Sequence, residues 1–145
     1  MPKPKIKILI VDDEEMILNM YHTKLHGEGY EVALAKNGSE ALAKAHQIKP
    51  DVILTDLIMP KYDGFYFLKA LKKDPVLKKV PVITLTNIGN EHKRAKACKL
   101  GTLFFLVKSQ YVPAQVAEIV KEVINLKNNN IFSLKAKYQE AFCAN

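Results

Sequence analysis

The stretch "DVILTDLIMPKYDG", from Asp51 to Gly64, decides the fold prediction. Its first part, "DVILT" (51–55), is nearly continuous in apolar and β-branched residues, as in a central parallel strand that is buried on both faces. Asp56 then ends the strand with a carboxylate, and Met59-Pro60 and Asp63-Gly64 follow as loop residues. In open parallel sheets ligands bind at the carboxyl ends of the strands, so this carboxylate is expected in a ligand crevice.

Similar apolar runs occur along the chain, and helical patterns separate them. The strand candidates are "KILIV" (7–11), "YEVALA" (30–35), "DVILT" (51–55), "VPVITLT" (80–86) and "LFFLV" (103–107). The helix candidates are Glu14–His26, Ser39–His46, Phe65–Lys73, Glu91–Leu100 and Pro113–Leu126. This alternation predicts an α/β fold, a doubly wound five-stranded parallel sheet with five helices on both faces.

Length and composition are typical of one globular domain. The chain has 145 residues, of which 48% are hydrophobic and 26% are charged. It contains no apolar run of about eighteen residues, and no cleavage site follows the basic and apolar start "MPKPKIKILIV", so we predict a cytoplasmic protein without membrane contact. We expect the domain over residues 1–127 and a tail over 128–145, a short helix or linker with no output domain.

The cysteines and the basic residues carry weaker signals. Cys98 and Cys143 lie far apart without metal-binding spacing, which favours two reduced thiols. The net charge of +7 is compatible with nucleic acid or an acidic partner. Because no DNA-binding motif is present, we favour a solvated lysine-rich surface and expect no direct contact with nucleic acid.

Three carboxylates and a lysine follow the predicted strands. Asp12 and Asp13 follow the first strand, Asp56 the third and Lys108 the fifth. Like charges in one cleft raise each other's proton affinity unless a cation neutralises them, and a single lysine offsets only part of this charge. A magnesium ion fits such a cleft, although Asp12 or Asp13 alone could cap a helix and Asp56 alone could be a turn residue.

Thr86 adds a hydroxyl at the end of the fourth strand. Threonine is common in strands, so this residue alone indicates little. Together these groups would provide a nucleophile in Asp56, a cation in Lys108, a hydrogen-bond donor in Thr86 and a metal ion that neutralises charge. These are the components of phosphoryl transfer to a carboxylate.

Four motifs resemble, in their order and separation, the response-regulator receiver domain (CheY-like) of two-component signalling. They are "ILIVDDEE", "DVILTDLIMPKYDG", "PVITLT" and "LFFLVKS". The resemblance covers residues 5–127 and implies a flavodoxin-like sheet with the strand order 2-1-3-4-5. It also implies a phosphoprotein that accepts a phosphoryl group from a histidine kinase or phosphotransfer protein with Mg2+ or Mn2+, and that is not an enzyme for other substrates.

The resemblance assigns roles to residues around the metal. Asp56 resembles the phosphorylated aspartate. Asp13 resembles the metal-binding carboxylate with Asp12 assisting, and Asp56 and the backbone carbonyl of Ile58 complete the protein ligands of the metal.

The resemblance also implies a switch. Thr86 resembles the hydroxyl that moves to the phosphoryl group, Lys108 its cationic partner, and Phe105 the aromatic residue that turns inward. Phe105 could instead be a permanent core residue. The face built from the fourth helix, fifth strand and fifth helix is then expected to meet a downstream protein partner, and a phosphorylation-dependent homodimer is a further arrangement that the resemblance allows.

The sequence departs from the family pattern at several positions. Ser109 stands where proline usually follows the lysine, which leaves the isomer of the Lys108–Ser109 peptide bond open. Ile58 and Ile88 flank the expected phosphoryl position with apolar side chains, which predicts a long-lived phosphorylated form. Ile58 also stands where an aspartate-nucleophile phosphatase needs its second acid, which argues against that class. A binding module that keeps the fold without phosphorylation is a third alternative.

Overall fold

The apolar runs form the strands of one parallel sheet. The computed structural model describes residues 4–87, 89–127 and 131–143. Its strands are β1 (Lys7–Val11), β2 (Glu31–Ala35), β3 (Val52–Thr55), β4 (Val82–Thr86) and β5 (Phe104–Val107). They lie in the order β2-β1-β3-β4-β5, with every neighbouring pair parallel. This confirms the predicted doubly wound fold and its strand order.

Six α-helices connect and flank the strands in the described residues, one more than the five predicted around the sheet. They are α1 (Glu15–Gly27), α2 (Gly38–Ile48), α3 (Gly64–Lys73), α4 (Glu91–Lys99), α5 (Pro113–Ile124) and α6 (Ile131–Lys137). The additional helix, α6, follows the last crossover helix and lies in the tail, where the sequence predicted a short helix or linker. Within residues 4–87, 89–127 and 131–143, no helix combines the length and the apolar character needed to cross a membrane.

Alternate strand residues supply two separate apolar cores. In β1, Ile8 and Ile10 belong to the core cluster that also contains residues of α1 and α5, whereas Leu9 and Val11 belong to the cluster on the α2, α3 and α4 side. Successive side chains of a strand point to opposite faces of the sheet. A strand covered on both faces therefore needs apolar residues at every position, which explains the continuous runs.

Three helix caps fix the loops at the carboxyl edge of the sheet. The caps of α2, α3 and α4 are Asn37, Asp63 and Asn90, and the side chain of each accepts a hydrogen bond from the backbone N–H three residues later. Such a cap satisfies a backbone donor that the first helical turn leaves unpaired. The loops after β2, β3 and β4 are therefore anchored where the ends of the strands meet.

The 131–143 segment returns to the sheet and covers the outer edge of β5. Phe142 forms an antiparallel bridge with Phe104, and the backbone N–H of Phe105 donates to the carbonyl of Ala141 at 2.7 Å. On the other side of the bridge, the backbone N–H of Cys143 donates to the carbonyl of Leu103 at 2.9 Å. The segment thus satisfies polar groups that an edge strand otherwise exposes.

This return brings the two cysteines together, and they form a disulfide bond. The prediction of two reduced thiols is therefore wrong. Cys98 lies in α4 and Cys143 lies beside β5, and their Cα atoms are 5.3 Å apart despite a sequence separation of 45 residues. Proximity of this kind depends on the path of the 131–143 segment and leaves no trace in the spacing of the cysteines.

Candidate functional site

Three carboxylates converge at the carboxyl end of the sheet. Asp12 directly follows β1 and Asp56 directly follows β3, and these strands are neighbours that pair Val11 with Thr55. One carboxylate oxygen from each of Asp12, Asp13 and Asp56 lies within 4.8 Å of the others. We call these three residues the acidic cluster.

The acidic cluster has a buried side and an exposed side. Asp12 and Asp56 retain only 2% and 5% of their accessible surface, whereas Asp13 is exposed. Two carboxylates therefore lie in a poorly solvated position where like charges repel strongly. The exposed carboxylate of Asp13 makes this side of the acidic cluster accessible from solvent.

Lys108 supplies positive charge to the acidic cluster. It begins the short 3-10 turn after β5, and its Nζ lies 2.7 Å from Oδ2 of Asp12 and 3.1 Å from Oδ2 of Asp56. Charge-assisted hydrogen bonds of this length are stronger than neutral ones. The peptide bond between Lys108 and Ser109 is trans, which answers the question that Ser109 raised in the sequence.

Burial and these ion pairs shift two pKa values. Burial raises the pKa of Asp12, although the hydrogen bonds from Lys108 and from the backbone N–H of Glu14 lower it in part. Burial alone would lower the pKa of Lys108, but the carboxylates of Asp12 and Asp56 outweigh it and raise that pKa. The lysine is therefore a firmly charged cation, while the buried carboxylate beside it depends on positive charge nearby.

The loop after β3 orients Asp56. Its Oδ1 accepts hydrogen bonds from the backbone N–H groups of Leu57 at 2.7 Å and Ile58 at 3.3 Å, while its Oδ2 faces Lys108. The backbone N–H of Asp56 in turn donates to the carbonyl of Val11 at 2.9 Å. Both carboxylate oxygens therefore have fixed surroundings before any ligand binds.

Gly64 explains why Asp63-Gly64 closes the quoted stretch. A Cβ at Gly64 would lie 2.2 Å from the carbonyl oxygen of Asp56 and 2.6 Å from Cα of Leu57. Its backbone N–H donates to the carbonyl of Leu57 at 2.9 Å, and Asp63 caps α3 beside it. Only a residue without a side chain allows the start of α3 to lie this close to the backbone of Asp56.

The remaining predicted site residues occupy neighbouring strand ends. Thr86 ends β4, is fully buried and pairs with Val107 of β5. Phe105 is 3% exposed, and its ring centroid lies 5.8 Å from the guanidinium carbon of Arg94 in α4. The side chain of Ile58 is 42% exposed, whereas Ile88 lies outside the described residues.

The acidic cluster fits a hard divalent cation. Magnesium prefers oxygen ligands, binds through carboxylates and keeps several waters, so two buried carboxylates and an exposed one offer it both protein oxygens and access to water. Lys108 neutralises only part of the charge of Asp12, Asp13 and Asp56. A divalent ion would balance the remainder.

Two features of the molecule escaped the sequence analysis. The first is the pair of loop amides on Asp56, which depends on loop geometry that no motif spells out. The second is the disulfide bond. The even number of cysteines permits such a bond, but a count of 2 is equally compatible with free thiols.

Comparison with known proteins identifies the family. The model of the response regulator receiver domain matches residues 8–123. The chain is 37% identical over 129 residues to the "Probable transcriptional regulator ycf27" of Guillardia theta. This alignment covers 89% of this chain and 49% of that protein. It is 36% identical over 118 residues to the alkaline phosphatase synthesis transcriptional regulatory protein PhoP of Bacillus subtilis. This alignment covers 81% of this chain and 48% of that protein. The chain thus spans about half the length of these two curated relatives.

Solved structures lead to the same family. The chemotaxis protein CheY4 of Vibrio cholerae superposes with a TM-score of 0.77 at 35% identity, covering 83% of this chain and 99% of that one. A CheY-like receiver domain protein from Methanospirillum hungatei gives a TM-score of 0.80 at 26% identity, covering 86% and 98%. Sequence, fold and relatives agree, and the chain belongs to the response-regulator receiver domain family.

Proposed function

We propose that the chain is a phosphorylation-dependent signalling switch in which Asp56 accepts a phosphoryl group from a histidine kinase or a phosphotransfer protein. The observation that carries this proposal is the contact of Lys108 Nζ with both Asp12 and Asp56 inside the acidic cluster. It joins a nucleophilic carboxylate, a fixed cation and oxygen ligands for a metal in one cleft. Phosphoryl transfer relies mainly on such positioning and charge stabilisation.

The chain's own residues prepare the transfer. A carboxylate oxygen of Asp56 forms a bond to phosphorus while the bond between phosphorus and the donor's imidazole nitrogen breaks, and the released imidazole takes a proton from water. The amides of Leu57 and Ile58 hold the orientation of Asp56, and Lys108 offsets charge on the transferred group. Asp12, Asp13, Asp56 and the carbonyl of Ile58 would hold Mg2+ or Mn2+, which supplies further neutralisation of the phosphoryl oxygens.

The response to phosphorylation is proposed to pass through Thr86 and Phe105. Thr86 is buried at the end of the strand between Asp56 and β5, so its hydroxyl is close to the edge where the new charge arrives. Phe105 lies in β5 against Arg94 of α4. Repacking of these residues changes the face formed by α4, β5 and α5, which meets a downstream protein partner or a second phosphorylated copy.

The proposal includes a cytoplasmic location, no direct contact with nucleic acid and no turnover of other substrates. Ile58 presents a 42% exposed apolar side chain where a phosphatase of the aspartate-nucleophile class needs an acid. We therefore expect the purified protein to leave small phosphate esters intact in the presence of Mg2+. Steady hydrolysis of such an ester, lost in Asp56→Asn, would favour the phosphatase instead.

The decisive experiment measures phosphoryl uptake by intact mass. The native chain incubated with acetyl phosphate or phosphoramidate and Mg2+ should gain one phosphoryl group, and Asp56→Asn should gain none. Asp51→Asn is the matched control, because Asp51 is an exposed aspartate at the opposite end of β3. Equal uptake by Asp56→Asn, or no uptake by the native chain, would refute the proposal.

The lifetime of the phosphorylated form remains a prediction. The exposed apolar side chain of Ile58 stands beside Asp56, where it hinders an attacking water. We expect slow loss of phosphate from the purified protein, measured by mass after removal of the donor. A lifetime of seconds would contradict this prediction.

A further inference from the structure

The 131–143 segment contacts every element of the face proposed to meet partners. Its backbone bonds to Phe105 of β5 and to Leu103, the residue just before that strand. On the α4 side, Arg94 Nη2 donates to the carbonyl of Phe142 at 3.2 Å, and the disulfide joins Cys143 to Cys98. The segment therefore lies across the surface that the proposed switch would have to present.

Apolar and charged contacts hold the other end of the segment against α5 and β5. The ring of Phe104 makes edge contacts with Tyr138 and Phe142 at centroid distances of 5.7 and 5.4 Å. Leu134 of α6 is 5% exposed in the same core cluster, and Lys137 forms an ion pair with Glu122 of α5. Apart from the disulfide, the segment is thus fixed by a few buried side chains, one surface ion pair, two backbone hydrogen bonds to the sheet edge and the hydrogen bond from Arg94.

These non-covalent contacts are weak enough that the disulfide bond can decide whether the segment stays docked. The helix α6 has 7 residues, and a helix of this length is not stable alone in water. Ile131 and Phe132 are 46% and 72% exposed, so part of the apolar surface of the segment stays in water even when it is docked. A tether that raises the local concentration of the segment shifts such a balance strongly toward the docked state.

The segment also contacts the proposed switch residue. The backbone N–H of Phe105 donates to the carbonyl of Ala141, and Arg94 contacts both the ring of Phe105 and the carbonyl of Phe142. Movement of Phe105 or Arg94 on phosphorylation therefore disturbs the docked segment. By the reciprocity of linked equilibria, a docked segment opposes that movement.

We infer that Cys98 and Cys143 form a thiol–disulfide exchange site that controls whether the 131–143 segment covers the face of α4, β5 and α5. In the oxidised form the disulfide keeps the segment docked. In the reduced form the segment exchanges between a docked state and a detached state in which the edge of β5 is exposed. The effect on phosphorylation rests on the proposed function, whereas the tethering of the segment does not.

The site takes a dithiol as its reductant and a disulfide such as oxidised glutathione as its oxidant. Cys98 is half-buried and Cys143 is 5% exposed, so a thiolate attacks the sulfur of Cys98 and Cys143 leaves as a thiolate that takes a proton from water. The second thiol of the reductant then displaces Cys98, which leaves two thiols on the chain and a disulfide on the reductant. In the proposed cytoplasm such bonds are typically transient and redox-sensing.

The first test follows the segment itself. The chain contains 2 cysteines, so maleimide labelling should add nothing after treatment with oxidised glutathione and two groups after dithiothreitol. Amide hydrogen exchange of Phe105 and Cys143, whose N–H groups bond across the segment, should accelerate at least about tenfold on reduction. The amide of Ile53, which donates to Pro81 inside the sheet, should not change. Unchanged exchange at Phe105 and Cys143, or labelling of both thiols in the oxidant, would overturn the inference.

Matched variants distinguish the effect of the disulfide bond on docking from the effect of side-chain packing. Cys143→Ser should exchange at Phe105 like the reduced native chain under both conditions. In dithiothreitol, Phe142→Ala should accelerate exchange at Phe105 further, because Phe142 is 7% exposed and packs on Phe104. Gln139→Ala, at an exposed position of the same segment, should leave it unchanged. Protection in Cys143→Ser equal to that of the oxidised native chain would show that packing alone closes the edge.

The second test measures coupling to Asp56. Phosphoryl uptake from phosphoramidate with Mg2+ should be about fivefold or more slower in the oxidised than in the reduced chain, and the difference should vanish in Cys143→Ser. Equal rates in both forms would overturn the coupling. If neither form is phosphorylated, the proposed function and the coupling fail together, while hydrogen exchange still decides the redox site.

Discussion

The acidic cluster and the 131–143 segment are held at two edges of one sheet by opposite means. The cluster is formed by residues at the ends of neighbouring strands, and buried ion pairs from Lys108 to Asp12 and Asp56 hold it together. The segment lies along the outer strand, and a disulfide with a few buried side chains attaches it. The acidic cluster forms when the sheet folds, whereas we expect the 131–143 segment to detach without unfolding the sheet.

The largest effect expected from this difference concerns Lys108. Lys108→Gln leaves Asp12 and Asp56 buried without their cation, and breaking a buried pair in this way costs about 3–5 kcal/mol. Urea unfolding should show that loss, and Mg2+ should restore part of it. Lys36→Gln is the control, because Lys36 is an exposed lysine near Asp13. A fall of less than about 1 kcal/mol in Lys108→Gln would show that the cluster is not held by this lysine.

Removal of the disulfide should have the next largest effect. Loss of a native cross-link typically costs about 2–4 kcal/mol, because the unfolded chain regains freedom. Because the segment can detach alone, we expect the loss to appear first as exposure of residues 131–143 to protease, before the sheet unfolds. Simultaneous loss of the segment and of the sheet signal in Cys98→Ser would contradict this separation of the two regions.

A smaller effect is expected from Gly64→Ala. The new Cβ would meet the backbone of Asp56 at 2.2 Å, and overpacking of this kind costs about 1–3 kcal/mol. Because the clash lies at the acidic cluster, phosphoryl uptake should fall together with the free energy of unfolding. Gly27→Ala is the matched control, since no atom lies within 4 Å of the position of its Cβ. Normal stability and phosphoryl uptake in Gly64→Ala would mean that the loop after β3 shifts to accommodate the Cβ at little cost.

The smallest expected effect is the pH dependence of segment docking. Burial raises the pKa of Glu122, but hydrogen bonds from Lys137 and Tyr138 outweigh it, so the pKa is lowered from 4.5. The ionised form therefore stabilises the docked segment above pH 4.5, and this contribution is lost as the pH falls through the lowered pKa. The protection factor of the Phe105 amide in the reduced chain, which compares its exchange with that of an unprotected amide at the same pH, should fall in that window.

Two variants test this assignment. Glu122→Gln should show the same reduced protection factor at neutral pH, because it lacks the charge that pairs with Lys137. The exposed Glu118 of the same helix provides the control Glu118→Gln, which should behave like the native chain. A protection factor in Glu122→Gln that still falls as the pH drops below 4.5 would assign the effect to another group.

The sheet and the positions of the strand ends could be predicted because they depend on short, local patterns. Each buried strand needs apolar residues at every position, and parallel strands bring their carboxyl ends to one edge. Asp12, Asp56 and Lys108 each follow such a strand directly, so the topology alone brings them together. Their chemical roles, by contrast, remain predictions until phosphoryl uptake is measured.

The docking of the segment could not be predicted, because its residue pattern indicates a short helix and gives no sign of pairing with a strand. Its apolar residues Phe132, Leu134, Tyr138 and Phe142 have loosely helical spacing, yet Phe142 pairs with a strand. The edge that it covers belongs to a strand about forty residues earlier, a distance over which periodicity carries no information. Cys143 reaches Cys98 only as a result of that pairing.

The antiparallel bridge at Phe142 also bears on the solubility of the protein. A parallel sheet with β2 and β5 at its ends has two places where another chain can add by backbone pairing, and the segment occupies one of them. Reduction would uncover the backbone of Phe104 and Phe105, in an apolar strand suited to intermolecular stacking. Oxidising conditions should therefore suppress aggregation during concentration and heating, whatever role the bond has in signalling.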